Sequence, residues 1–584
     1  MKVLGIYDSH NCGAALIDNM EIVAAVEEER LSRTKIEFGM PKKAIKSVLE
    51  IAGLNWEDID AVAVGGIYDP TPLVRWNYRA FQFERKITPK WWLQYRLWKI
   101  YYPMRNNRLS RQIESWLNRQ IVYRQLVRFY PIAREKVSHI DHHLCHANVG
   151  YRTSGFDKAL IFTIDGSGDG YSNSLFLGEA GKITFVAGSK ETASLGKFYS
   201  NATLGLGFKK LSGEGKLMGL AAYGDPSVYY PHLEHVLTVE DVDNLVLRNN
   251  EDLLGNKWAL KVKKDLAKFK REDIAAAVQK RFEDIILVLV GHFVEKFGIN
   301  KIVLVGGGAM NVKMNQRVRE MDNVEDTFIF PAMTDAGIAP GAALEICYQL
   351  MSINGRTPSL SRLESPCLGP DYSNEAIKEV LDRRGYGQRV RYVEDIEKVV
   401  GDLIVNGYIV TRFSGKMEYG PRALGNRSIL TLATRDDIEE TLNQRLGRDE
   451  FMPFAPSILE EHADQYLERY AYSPFMVETF DVKSKYIDKF SPIVHVDNTL
   501  RPQIVRRNVS PGYWKVVKRV GDKTGYYLVL NTSYNIHGEP IVCSPDDALN
   551  TFEHGATDYL ALGNWLLKLE PQDVKRVRQY KDEG

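Results

Sequence analysis

The chain has little cysteine. Its five residues (Cys12, Cys145, Cys347, Cys367 and Cys543) are scattered through 584 positions, and no two form a CxxC pair. That spacing argues against a disulfide framework or a thiolate zinc site, and it fits a reducing cytoplasm. Long apolar runs are missing too. The densest, IILVLVG at Ile285 to Gly291, is far too short to span a membrane. The opening MKVLGIYDSH reads straight into a strand, with no apolar signal-peptide core. Excess charge is also absent: 76 Lys+Arg against 75 Asp+Glu leave +1, so the global charge points to no polyanionic partner. What the chain does have is length and an ordinary 44% hydrophobic content, enough for two or more domains.

It also has histidines in one place. Ser138 to Tyr151, SHIDHHLCHANVGY, holds four of the twelve. His142 and His146 are four apart, so a helix sets both on one face, close enough to share an ion. Such an ion needs at least one more ligand from elsewhere. The plainer reading is a polar helix start capped by Asp141, with surface histidines.

Strand-like and helical patterns alternate along the chain, so the expected class is α/β. Val3 to Tyr7 ends at Asp8, and SHNCGAALID turns into a second strand. The pattern returns at ALIFTID, which ends at Asp165 before GSGDGYS. Two acid-glycine hairpins predict an internal duplication. Turn amides such as those after Asp8 and Asp165 can surround phosphate. Ile302 to Val305 then leads into GGGAMNVKMN, where glycines let a nucleotide approach a helix N-terminus. Asp335 sits where another strand passes into a helix. Between these motifs lies Pro72 to Ala133, with five of the nine tryptophans. From Arg75 to Arg134 there are fourteen Lys/Arg against Glu84 and Glu114. This insert reads as two or three helices: a lid with aromatic core, an anionic-substrate pocket, a membrane surface or an RNA face.

Residues 351 to 370 are rich in Ser, Pro and Gly and read as a linker. Beyond it, arginines gather around a Gly-rich loop at Arg412, Arg422, Arg427, Arg445 and Arg448, as phosphate or carboxylate binding requires. The strand YYLVLNTSYNIHGEPIV ends in Asn531, Thr532, Ser533 and Asn535, polar groups that need partners if buried.

The ordered motifs DSHNCGAALI, EEERLSRTK, DHHLCHA, DGSGDG, GEGKLMGLAAYG, GGGAMN, TDAGIAPGAAL, MEYGPRALGNRSIL, FMPFAPS and NTSYNIHGEPIV resemble the NodU/CmcH family of O-carbamoyltransferases over about residues 3 to 560. The resemblance implies a TsaD-like domain with a duplicated actin-like ATPase fold at 1–355, a linker at 356–370 and a YrdC-like α/β domain at 371–584. It implies carbamoyl-adenylate formation from carbamoyl phosphate and ATP with magnesium, then transfer to a hydroxyl of a small-molecule acceptor. By the same resemblance His142, His146 and Asp335 match the ligands of an iron or zinc ion. His10, Arg422 and Arg448 are the catalytic candidates. Asp8, Asn11, Asp165, Gly166, Gly306, Gly307, Asn311, Arg412, Asn426, Arg501, Asn531, Ser533 and Asn535 are expected to bind nucleotide and carbamoyl-adenylate. Two departures stand out. QRLGRDEFMPFAPS carries Met452 where the family has arginine, and Arg445 or Arg448 takes the place of its lysine. The basic insert matches no family motif. A cytoplasmic location is expected, without nucleic acid or a membrane span, and homodimer formation is left open. The rival readings are a threonylcarbamoyl-type tRNA enzyme and a nonenzymatic actin-like ATP-binding module.

Overall fold

The computed structural model describes residues 1–77, 107–251, 257–356, 358, 360–447 and 452–575. Arg448 and the tryptophans Trp91, Trp92 and Trp98 lie outside the described residues. The chain forms two compact units. The first is Met1–Glu29 with Ile36–Leu363, and the second is Arg30–Lys35 with Glu364–Gly584.

Unit 1 contains two five-stranded sheets. In the first, β1 (Lys2–Tyr7), β2 (Gly13–Asp18) and β3 (Glu21–Glu27) form an antiparallel meander, and β4 (Ala61–Gly65) and β5 (Val137–Ile140) join in parallel, giving the order β3-β2-β1-β4-β5. In the second, β6 (Lys158–Gly168), β7 (Tyr171–Glu179) and β8 (Lys182–Lys190) repeat the meander. After a separate hairpin of β9 (Leu237–Asp241) and β10 (Val246–Asn249), the strands β11 (Lys301–Val305) and β12 (Asp326–Ile329) add in parallel. The order β8-β7-β6-β11-β12 therefore reproduces the first sheet strand for strand. Val3, Leu4 and Ile6 in β1 and Leu160, Ile161 and Phe162 in β6 are buried, which is why both strands read as unbroken apolar runs.

One expectation needs correcting. The strand beginning at Ala159 does not end at Asp165; β6 runs on to Gly168 with a register shift between Ile164 and Gly168. The shift bulges Asp165 out of the ladder, and the turn itself is Asp169–Gly170, both at positive φ. Of the basic insert, the described parts are two helices, Pro72–Trp76 and Arg108–Val127, joined where the Gln125 amide donates to the Arg75 carbonyl.

Unit 2 is built on one eight-stranded sheet. Its strands are β13 (Arg391–Tyr392), β14 (Val410–Phe413), β15 (Arg427–Thr431), β16 (Ala455–Leu459), then, after a two-stranded ribbon of β17 (Phe480–Asp481) and β18 (Thr499–Leu500), β19 (Gln503–Val505), β20 (Leu528–Ser533), β21 (Tyr559–Leu562) and β22 (Trp565–Lys568). The order is β13-β22-β21-β14-β15-β20-β16-β19. Helices cover both faces. Ile377, Leu381, Leu549 and Phe552 join one apolar cluster; Val400, Ile404, Val516 and Val517 join the other. Ile429 belongs to the first and its neighbour Leu430 to the second, as strand alternation requires. Both units are mixed α/β. Among the described residues no helix is long and apolar enough to cross a membrane.

Candidate metal centre and anion site

The helix His142–Arg152 starts where Asp141 accepts from the Leu144 amide at 2.9 Å. That cap fixes the first turn, and the i,i+4 spacing then sets His142 and His146 on one face. Gly168 makes room for the first of them: a Cβ there would sit 2.1 Å from the His142 ring. Gly150 lets the same helix lie against Val303 and Val305 of β11.

These two histidines meet two carboxylates. His142 Nε2 is 2.9 Å from Asp165 Oδ2 and 3.8 Å from Asp335 Oδ1; His146 Nε2 is 3.5 Å and 3.6 Å from the same atoms. The four ligating atoms lie within 4.8 Å of one another. Ligands about 2.1 Å from a tetrahedral ion sit roughly 3.4 Å apart, so one ion fits among them. Both ring nitrogens of His146 and Nδ1 of His142 are buried without a hydrogen-bond partner. A donor set of two imidazoles and two carboxylates suits iron or zinc.

The electrostatics agree. Burial opposes charge on His142, but Asp335 and Asp165 overcome it and push its pKa up to about 10. Burial likewise opposes ionisation of Asp165, yet the His142 hydrogen bond and the adjacent His146 ring hold its carboxyl well below the usual carboxylate range. Asp335, buried beside His10 and His142, is also lowered. Tyr7 donates to Asp335 Oδ2 at 2.7 Å, and burial pushes its phenol well up, so it remains a donor. His143 differs: burial brings it down to about 3, and its Nδ1 pairs with Thr163 Oγ1 at 2.6 Å. It is a neutral structural imidazole.

Asp165 was expected among the nucleotide ligands; its side chain instead completes the histidine cluster. Gly166 donates to Asp165 Oδ1 at 2.7 Å, and a Cβ on Gly307 would lie 3.2 Å from that oxygen. The structure thus brings Asp165, Gly166 and Gly307 together, with Gly306 at φ +89° closing against Ile164. Asn311 is engaged locally. It caps the helix Val312–Arg319 and exchanges two hydrogen bonds with Gln279. His10 Nε2 stands 3.3 Å from Asp335 Oδ2, at the edge of the cluster, and its Nδ1 is 3.4 Å from Asn11 Oδ1. Asp8 is not open to a ligand: Arg75 of the insert pairs with it at 3.1 Å in a buried ion pair.

Sequence reading also missed Asp169. Its carboxylate accepts four backbone N–H groups, from Ile67, Tyr68, Asp69 and His142, at 2.8 to 2.9 Å. The signal was present in DGSGDG, but an Asp-Gly turn looks the same whether or not its carboxylate is buried. Asp169→Asn replaces acceptor lone pairs with N–H bonds facing N–H bonds. We expect about 3 kcal/mol of destabilisation, read as a lower melting temperature for the variant.

In unit 2 the arginines divide by their partners. Arg427, fully buried with its guanidinium 3.6 Å from the Phe413 ring centre, donates to the carbonyls of Ser414, Gly415, Asn426 and Pro370. Arg412 donates to the Gly425 carbonyl, Asn426 Oδ1 and Ser414 Oγ. These two hold the Gly-rich loop in shape. Arg445 pairs with Asp558 at 2.9 Å. Arg422 and Arg501, by contrast, have no hydrogen-bond or ion-pair partner among the described residues. Burial lowers Arg422 to about 10, while burial and then the neighbouring Arg422 charge lower Arg501 well below its usual value. Both side chains remain partly open to solvent, and two like charges this close favour an anion between them. Asn531 and Asn535 each keep a buried Oδ1 without a partner. Asn426 Nδ2 donates to the Lys416 carbonyl, and Ser533 ends β20 opposite Ser428.

A buried two-histidine, two-carboxylate cluster lies in one α/β unit, and two neighbouring arginines without a partner among the described residues lie in the other. Residues 2–344 match the carbamoyltransferase N-terminus family model and residues 401–568 the carbamoyltransferase C-terminus model. The chain belongs to the carbamoyltransferase family. It is similar to the nodulation protein NolNO of Sinorhizobium fredii, at 32% identity over 97% of this chain and 81% of that protein. It is also 31% identical to an uncharacterized protein of Methanocaldococcus jannaschii, over 97% of this chain and 99% of the other. The nodulation protein NolO of Bradyrhizobium diazoefficiens shares 33% identity over 75% and 80% of the two chains.

Proposed function

We propose that the protein is an ATP-dependent O-carbamoyltransferase working in two steps. In this reading residues 1–355 form a TsaD-like, actin-like domain, 356–370 a linker and 371–584 a YrdC-like domain. The repeated strand order of unit 1 supports the first assignment. The neighbouring Arg422 and Arg501, without a partner among the described residues, carry the functional reading, because two guanidiniums this close favour an anion and the reaction supplies several.

In the first step carbamoyl phosphate loses phosphate to water, leaving carbamate. A carbamate oxygen attacks the α-phosphorus of ATP, the bond to pyrophosphate breaks, and carbamoyl-adenylate remains. Arg422 and Arg501 neutralise the charge that builds on the phosphates, with magnesium accompanying ATP. Arg448 is a candidate third contact. Arg412 shapes the loop, together with Asn426. The two N–H bonds of the carbamoyl amide satisfy the orphaned carbonyls of Asn531 and Asn535, with Ser533 beside them. In the second step the acceptor hydroxyl attacks the carbamoyl carbon, AMP departs, and His10 takes the hydroxyl proton. Iron or zinc held by His142, His146, Asp165 and Asp335 supplies Lewis-acid polarisation. Gly166, Gly306 and Gly307 provide the close approach that a nucleotide phosphate needs.

The experiment is incubation of the full chain with labelled carbamoyl phosphate, with and without ATP, against a panel of small hydroxylated acceptors. Label transfer that depends on ATP and releases pyrophosphate supports the reading; transfer without ATP sinks the adenylate step.

The acceptor belongs beside the insert. A cleft of about 500 Å³ is lined by Ile67, Tyr68, Arg111, Gln112, Trp116 and Arg119. Tyr68 donates to the carbonyl of Asp169, whose carboxylate holds the start of the histidine helix. An aromatic ring flanked by arginines takes polycyclic or sugar-like molecules by stacking. Trp116→Ala is expected to raise the acceptor's Michaelis constant roughly tenfold while pyrophosphate exchange is unchanged. An unchanged constant would move the acceptor site elsewhere.

A further inference from the structure

The helix Arg108–Val127 has one buried stripe and, opposite it, an exposed apolar one. Its buried stripe is Glu114, Asn118, Val122 and Leu126, spaced by four. Asn118 ties that stripe to the carbonyls of Ile67 and Pro70. On the opposite side, at ~100° per residue, lie Leu109, Ile113 and Trp116, with 63%, 51% and 60% of their surface exposed, and Leu117 beside them. Val127 and Phe129 extend the exposed row past the end of the helix. A helix already anchored on one face gains nothing in solution from leucine and isoleucine on the other.

Charge decides what covers this row. From residue 107 to 134 the sequence has six arginines and one acid, Glu114, which is buried. A second copy of the chain would bring this excess against itself across a two-fold axis. Nucleic acid complements the arginines and could stack a base on Trp116, but it offers nothing to Leu109, Ile113, Leu117 and Val127, which present no ring. An anionic lipid surface matches both features, since its headgroups take arginine and its acyl boundary takes leucine, isoleucine and tryptophan.

We propose that the outward stripe of Arg108–Val127 docks the protein onto anionic lipid bilayers. This rests on the stripe and its arginines, not on the acceptor reading. The helix lies in the plane of the interface, Leu109, Ile113 and Leu117 enter the acyl boundary, and Arg124 and Arg128 remain at headgroup level. Because Asn118 and Tyr68 tie this helix to the segment that holds the histidine helix, docking presents unit 1 to the bilayer by a fixed face.

The test is flotation of the full chain with vesicles of phosphatidylcholine alone and with one third phosphatidylglycerol. Recovery with the anionic vesicles should exceed that with neutral ones by roughly tenfold and fall several-fold when salt rises from 0.05 to about 0.5 M. A double variant, Leu109→Ser with Ile113→Ser, should lose most of this binding while keeping the wild-type melting temperature and pyrophosphate exchange. Arg124→Gln with Arg128→Gln should weaken binding and flatten its salt dependence. Equal recovery on both vesicle types, no recovery on either, or undiminished binding by the serine variant overturns the proposal. So does a concentration-dependent dimer that the serine variant abolishes without any vesicle binding.

Discussion

Arg422→Ala is expected to abolish exchange of labelled pyrophosphate into ATP in the presence of carbamoyl phosphate, by a factor of 10² or more. Arg501→Ala should do the same. Among the described residues neither guanidinium has a carboxylate to hold, so each removal is expected to take charge chiefly from the ligand. The single variants should also fold better than the wild type without substrate, because each relieves the repulsion that lowers Arg501. A higher melting temperature together with lost exchange separates ligand binding from a structural role. Arg427→Ala should behave in the opposite way and unfold unit 2, since four carbonyls lose their donor. If Arg422→Ala exchanged pyrophosphate at the wild-type rate, the anion site would have to be sought elsewhere.

Asp165→Asn is expected to lower metal content as severely as His142→Ala or His146→Ala, and to stop carbamoyl transfer in all three variants. The reasoning is geometric. Asp165 Oδ2 lies within 3.5 Å of both Nε2 atoms, as near as Asp335 comes. An amide there offers a weaker ligand and removes the charge that stabilises the histidines. Elemental analysis of the purified variants, with circular dichroism to confirm folding, provides the check. Full metal content in Asp165→Asn would return this aspartate to the nucleotide. Full content in both histidine variants would remove the metal assignment altogether.

The histidine helix was legible because its evidence is local: an Asp cap followed by two histidines at helical spacing. The duplicated hairpins were legible for the same reason, each being a short strand-turn-strand pattern. The role of Asp165 was not, because its partners stand 19 to 23 residues away, and 170 residues away at Asp335, with nothing in DGSG to indicate the bulge that turns it toward them. Arginine density after residue 410 pointed to an anion site, yet it did not say which arginines are free to serve a ligand. That depends on which guanidiniums already have oxygen partners. Arg427 and Arg412 find carbonyls in their own loop, whereas Arg501 comes from a distant strand entrance and lies beside Arg422. Arg75 was counted as part of a basic surface; its burial against Asp8 depends on a contact across 67 residues.

The assignment of Arg30–Lys35 to unit 2 bears on how the protein can be taken apart. Arg33 donates to the carbonyls of Pro540 and Ile541, and Arg30 to that of Gly420, so this short early stretch is stitched into late sequence. The backbone therefore passes between the units three times: after Glu29, after Lys35 and after Leu363. A protease nick between 356 and 363 would cut one strand of a three-stranded tether, and the halves would co-purify. A gene split at the same point would leave the downstream product without six residues that it uses, and a graft between relatives would pair one protein's clasp with another's receptacle. Swapping specificities within this family should thus succeed only when residues 30–35 travel with the C-terminal half.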